Sequence, residues 1–258
     1  MPAPSVDIRR SPHKLARMTL RRLLALSLLP LLAACATDPN KDLGTPEEDY
    51  KKAKGMIGEG AFSTANMFLE KYSTHHPYSQ YTVQAEILRA YAAYMNREFI
   101  LSDTLCSEFV RRHPRHPDIA YVKYLGAMSH YKQIVPPDRD QAETIAAIDA
   151  FKVLIADHPD SEYAREGRQR LGRLNEQLAE HELAIARYYF EARRYVAAAN
   201  RLQTVVEKYQ QTPSIEESLY LLAATYTALG MGERAHEAAL LLRHNYPNSD
   251  WSRKSETL

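Results

Sequence analysis

The stretch LYLLAATYTALGMGERAHEAALLLRHNYP, residues 219–247, decides the fold. It reads as two short helices joined at Gly230. Leu219, Leu222, Ala223 and Tyr226 stand at i, i+3, i+4 and i+7, which is one face of a helix. Ala235 and Ala239 are small and four apart, so the second helix can approach the first closely; Leu242 shares their face and Pro247 ends the run. A hairpin of this size cannot cover both of its apolar faces, so further copies must stack against it.

Copies with the same punctuation lie upstream. The first carries Ala53, Gly60, Ala65, Leu69 and Tyr72 and ends at Pro77; Thr45, Pro46, Glu47 and Glu48 supply its helix start. The second carries Ala90 and Ala93, then Cys106 and Phe109, and ends at Pro114, with Asn96 and Arg97 standing where the others turn on Gly. The third carries Tyr121, Tyr124, Ala127 and Tyr131, then Ala147, Phe151 and Leu154 before Pro159. It holds an insertion of about eight residues at 133–141, around Pro136 and Pro137, which predicts a protruding loop. Residues 161–191 contain no breaker beyond Gly167 and Gly172 and predict one long helix. The second half of that helix opens the fourth copy: Ala186 and Tyr189 match Ala223 and Tyr226, and Ala198, Leu202 and Val205 follow.

Units of ~34 residues with these offsets are the register of the tetratricopeptide repeat. The expected fold is all-α, a right-handed superhelix of about five such hairpins, with the long helix joining the third and fourth. Hairpins 1–3 occupy 45–160, and the long helix with hairpins 4 and 5 occupies 161–251, expected to sit as a separate block. Residues 252–258 form the tail, and Asn248–Leu258 is too short for a capping helix. The junctions Pro77-Tyr78-Ser79, Pro159-Asp160-Ser161 and Pro247-Asn248-Ser249 each end a helix and offer Ser as the next N-cap.

The chain of 258 residues is 45% hydrophobic and 25% charged, enough to bury a core. Nine Gly against 17 Tyr argue against a Gly-rich nucleotide loop or a turn-rich β fold. Arg21 and Arg22 precede an apolar run at 23–34, too short for a membrane span and suited to a signal-peptide core. It ends Leu32, Ala33, Ala34, Cys35, the pattern of a bacterial lipobox, so residues 1–34 are expected to be removed and Cys35 acylated. Met18 opens a compact signal of its own and is a candidate true start. No Asp follows Cys35 at the second position, which by resemblance sends the anchor to the outer membrane. Residues 36–44 are polar and aperiodic, a linker or extended arm. Residues 1–34 carry six basic side chains and one acid, so their removal takes the net charge from +1 to −4, a poor match to nucleic acid.

No phosphate loop, nucleophile elbow or HExxH motif is present. His75 with His76, and His113 with His116, sit at repeat ends without the Cys or acidic partners that zinc spacing uses, and no metal or cofactor is expected. Glu47, Glu48, Glu216 and Glu217 stand at helix starts, where the helix dipole accounts for them. Cys106 takes the place that Ala239 has in the last hairpin and reads as a buried small residue. Tyr91, Tyr94, Tyr121, Tyr124 and Tyr131 share faces of two neighbouring first helices. They either fill the core between helices or offer rigid aromatic anchors to an extended peptide, with one or two exposed.

Lipobox, short arm, five hairpins and Pro-x-Ser junctions together resemble the BamD (ComL) family of outer-membrane assembly lipoproteins. The resemblance is most specific at PRHPDIAY (114–121), at Asp138-Arg139-Asp140, and at 188–201, with its Tyr pair, Ala run and closing Asn200 and Arg201. It implies a non-enzymatic, lipid-anchored scaffold on the periplasmic face of the outer membrane. Its partners would be the barrel-forming assembly subunit, accessory lipoproteins and unfolded outer-membrane proteins. Arg201 and Asn200 would meet the subunit, and Tyr91, Tyr94, Tyr121 and Tyr124 would meet client segments. Another outer-membrane repeat lipoprotein, a pilotin or a scaffold for peptidoglycan enzymes, is the alternative; an envelope hydrolase with a helical superstructure would need a catalytic carboxylate in a separate compact domain, for which the repeats leave no room.

Overall fold

The computed structural model describes residues 44–258. The expectations placed on the signal segment, Met18, Cys35 and the linker up to residue 43 lie outside the described residues. Among the described residues eleven α-helices run in order and there is no strand. The first hairpin is α1 (Pro46–Gly58) with α2 (Phe62–His75), the second α3 (Thr82–Met95) with α4 (Phe99–Arg112), and the third α5 (Ile119–Tyr131) with α6 (Ala142–Asp157). The fourth is α7 (Glu162–Glu191) with α8 (Tyr195–Lys208), and the fifth α9 (Ser214–Ala228) with α10 (Gly232–Asn245). The chain closes with α11 (Asp250–Lys254) and a 3-10 turn, Ser255–Thr257.

Each first helix touches the first helix of the next hairpin, from α1 through α9, whereas second helices form no comparable pairs. First helices therefore line the tighter, inner side of the tetratricopeptide-like superhelix. The repeated positions explain the packing. Ala53, Ala90, Ala127, Ala186 and Ala223 are fully or almost fully buried on the first helices. On the second helices Leu69, Cys106, Phe151, Leu202 and Ala239 recur at one buried position, and Tyr72, Phe109, Leu154, Val205 and Leu242 recur three residues later. Cys106 is inert in this position: burial pushes its thiol up to about 12. Its Cβ lies 3.4 Å from where a Cβ on Gly126 would stand, so the small pair lets α4 and α5 approach.

Four of the five hairpins turn identically. The N–H groups of Ala61, Glu98, Arg194 and Met231 bond the carbonyls of Met56, Ala93, Tyr189 and Tyr226 at 2.8 to 2.9 Å, closing a Schellman turn. That turn needs one residue in the left-handed region. Gly60 and Gly230 meet the need at φ 76° and 71°, but Arg97 and Arg193 adopt φ 65° and 55° with a side chain attached. The junctions between hairpins repeat as well: Ser161 and Ser249 cap α7 and α11, accepting from the N–H of Ala164 (3.0 Å) and Trp251 (3.2 Å). Ser79 instead accepts from Tyr81 N–H at 3.1 Å within the turn, and α3 starts at Thr82 without a side-chain cap.

Three sequence expectations need correction. The C-terminal hairpins are not a separate block, because Pro46–Leu258 is one compact unit. The reason is α7, whose Leu174 joins the core of the third hairpin with Phe151 and Leu154, while Leu183 and Ala186 join the core of the fourth and fifth. The insertion at 133–141 does not simply protrude. Gln177 of α7 donates to Val135 O at 2.7 Å, His181 bonds Pro137 O, and buried Gln141 donates to Pro136 O and Arg139 O at 2.9 and 3.0 Å. These bonds strap the loop to the middle of the long helix and satisfy carbonyls that no helix pairs. The end of the chain also folds: α11 packs on α9 and α10, Trp251 meets Tyr220 with ring centroids 5.2 Å apart, and Ser252 and Ser255 are buried.

Candidate partner-binding surfaces

The inner side of the first three hairpins carries an aromatic platform. Tyr91 and Tyr94 come from α3, Tyr121, Tyr124 and Tyr131 from α5, and Tyr163 from α7. Tyr121 and Tyr124 both meet Tyr163, at 5.5 and 5.4 Å between centroids, and Tyr124 and Tyr131 flank Phe151 at 6.2 and 6.4 Å. Tyr91 meets Phe62 edge-on at 6.5 Å and Tyr94 meets Phe99 at 5.6 Å. These are ordinary aromatic pair distances, so each ring is held by its neighbours. Tyr91, Tyr94, Tyr121 and Tyr124 are all half-buried. Their rings join the cores of the second and third hairpins, so the expectation of one or two exposed anchors does not hold.

One ionic cluster sits in this platform. Arg170 lies over the Tyr131 ring at 4.8 Å, donates to the Tyr124 hydroxyl at 3.3 Å and pairs with Glu166. Burial, then the Glu166 carboxylate, pushes the Tyr124 phenol up to about 12. In return, the hydrogen bonds from Tyr124 and Arg170 hold Glu166 below the usual carboxylate range. Burial likewise raises Tyr94, Tyr121 and Tyr163, so these phenols stay neutral at ordinary pH. The sequence reading missed Tyr163, Glu166 and Arg170. Their only signal was a Tyr two residues after the capping Ser161, with Glu166 and Arg170 one helical turn apart.

The second surface lies on α8. Asn200 and Arg201 are exposed, as the sequence led one to expect of a contact, but the Arg201 guanidinium is not free: its Nη1 donates to Glu182 of α7 at 3.0 Å. Beside them Arg193, Arg194, Val196, Asn200 and Leu229 line a shallow depression, and Tyr188 and Val196 are 65% and 64% exposed, more than a stable core face leaves open. A staple fixes the helices beneath. Arg187 of α7 donates to both oxygens of Glu217 at 2.6 and 2.8 Å and to Glu180 at 2.7 Å, so Glu217 does more than complement the helix dipole.

The terminal His residues close hairpins. His76 Nε2 lies 2.9 Å from Asp49 and His113 Nε2 lies 3.2 Å from Glu86. Both His rings also pack at 4.8 Å on the aromatic residue four positions earlier, Tyr72 or Phe109. Among the described residues no group of three potential ligands could hold a metal ion, and no helix is long and apolar enough to cross a membrane.

Residues 43–241 match the YfiO family model, described as outer membrane lipoprotein. The outer membrane protein assembly factor BamD of Vibrio cholerae is 30% identical over 238 residues, covering 88% of this chain and 98% of the relative. The chain belongs to the BamD family. BamD of Neisseria meningitidis serogroup A is also 30% identical, over 88% of this chain and 91% of the relative, and that of Caulobacter vibrioides 29% identical over 85% and 74%. Among solved structures, the TPR2AB domain of yeast Sti1 resembles the chain with a TM-score of 0.43 and 13% identity over 80% of each. Like its BamD relatives, this chain acts in outer-membrane protein assembly, and the pilotin alternative is not favoured.

Proposed function

We propose that the chain is a lipid-anchored scaffold of the β-barrel assembly machinery, working on the periplasmic side of the outer membrane without chemistry of its own. Cys35 carries the anchor. The surface of Asn200 and Arg201 holds the barrel-forming subunit, and accessory lipoproteins join the same assembly. The platform of Tyr91, Tyr94, Tyr121 and Tyr124 receives unfolded outer-membrane protein segments and passes them on. The observation that carries this reading is the presence of two surfaces on one compact unit, with aromatic groups on one and exposed Arg and apolar side chains on the other. Uncharged phenols suit an unfolded polypeptide segment, and a guanidinium suits a partner carboxylate.

The test is a pull-down of the tagged chain from detergent-solubilised envelopes, with partners identified by mass spectrometry, repeated with Arg201→Glu. Co-purification of a large outer-membrane β-barrel protein that the variant loses, at unchanged thermal stability, supports the reading. Recovery of pilus or cell-wall proteins without any barrel subunit overturns it.

A further inference from the structure

The aromatic platform has an unusual balance between what is covered and what is left open. Tyr91, Tyr94, Tyr121 and Tyr131 are half-buried, yet their hydroxyls make no hydrogen bond within the described residues. Those oxygens reach solvent, because among the described residues the buried, unpartnered side-chain polar atom is Arg170 Nε and none of these hydroxyls. Each ring is packed against a neighbour, Phe62, Phe99, Phe151 or Tyr163, and joins a hairpin core, so the hydroxyl is the part of each side chain left without a partner. What remains toward the inner side is a row of rigidly held hydroxyls. Tyr91 and Tyr94 of α3 pack on the same core as Tyr121 of α5, and Tyr121 meets Tyr163 of α7, so the aromatic row runs from α3 across α5 to α7.

A phenol hydroxyl donates one hydrogen bond and accepts others, which matches the N–H and C=O of a peptide unit. Arg170, which lies over the Tyr131 ring, is neutralised by Glu166, so this pair offers an ionic ligand no net charge. A helical ligand would bring its backbone groups already paired; an extended one brings them free. We infer that the hydroxyls of Tyr91, Tyr94, Tyr121 and Tyr131 read the main chain of an extended segment. Recognition is then indifferent to the client's side-chain sequence. The inference rests on the proposal that this face is the client groove.

The test uses the full chain and fluorescent peptides of about ten residues with the alternating pattern of a transmembrane β-strand, each with a photoreactive group at its centre. Two peptides have unrelated side chains, and a third repeats the first with alternate amides N-methylated. Expected are cross-links to α3 or α5, similar affinities for the two sequences, and a loss of about tenfold or more on N-methylation. Tyr91→Phe, Tyr94→Phe, Tyr121→Phe and Tyr131→Phe keep the rings and the melting temperature, and each weakens both peptides about 3- to 10-fold, the worth of one net hydrogen bond. Cross-links at α3 or α5 with affinity that follows side chains, and that survives N-methylation or hydroxyl removal, overturn the inference and leave the groove standing. Cross-links elsewhere, or no binding, overturn both.

Discussion

The first and last hairpins close the same joint with opposite chemistry. Four residues before its buried Ala, α1 places Asp49, which is 2% exposed and bonds His76 at the end of α2. The matching residue of α9 is Leu219, which packs with Leu242 and Tyr246 at the end of α10. The intermediate hairpins vary the theme. Glu86 takes His113 and Arg112, Lys123 reverses the charges by pairing with Asp157, and Glu182 takes Arg201 from the middle of α8. The buried Ala and the large residue facing it recur in all five, so they set the approach of the helices, and the closing pair fills a space they define. What each filling tolerates should therefore differ.

The largest effect should come from exchanging the two chemistries. Leu219→Asp would bury a carboxylate among Ile215 and Leu242 with no cation, and should cost about 3–5 kcal/mol by denaturant unfolding. Asp49→Leu removes the acceptor of His76 but brings an apolar side chain to a covered site, and should cost about 1–3 kcal/mol in the same measurement. Equal costs for the two would show that the fifth hairpin has no special apolar closure. Arg193→Gly should act in the other direction. It relieves a side chain held at φ 55° and should stabilise by about 0.5–1 kcal/mol, with Arg97→Gly behaving alike and Gly230→Ala losing stability.

The smallest effect belongs to the reversed pair. Lys123, through its hydrogen bond and charge, lowers the Asp157 pKa, so the pair's contribution is present above the unfolded carboxylate's value and is lost as pH falls through the lowered one. Asp157 is half exposed, so Lys123→Met should cost a few tenths of a kcal/mol at neutral pH. That difference should vanish in strong acid and shrink in high salt. A penalty that persisted at low pH would mean that the lysine stem's packing, not its charge, closes the third hairpin.

This contrast also explains what the sequence disclosed. Buried small and aromatic positions are local and periodic, so the hairpins, the long helix and the caps at Ser161 and Ser249 were legible from spacing alone. The closing pairs were not, because Asp49 and His76 are 27 residues apart and each fits a bland local role, a helix start or a helix end. Arg97 at the second turn was visible as a departure from Gly, but its left-handed backbone was not. The strapped loop was hidden for a related reason. Its partners Gln177 and His181 lie on the polar side of a helix whose apolar period alone had been informative. At the aromatic platform the Tyr residues were found and their pairing with Glu166 and Arg170 was missed, since that contact depends on how α7 crosses α5.

The long helix α7, 30 residues and so about 45 Å from end to end, contributes to two cores at once. Mechanically it is a lever with no free arm: a tilt at Tyr163 must shift Leu183 and Ala186 against α9, and a tilt at Tyr188 must disturb Leu174 against Phe151. Within the described residues α7 therefore couples the two halves, and unfolding either half should drag the other through the same transition.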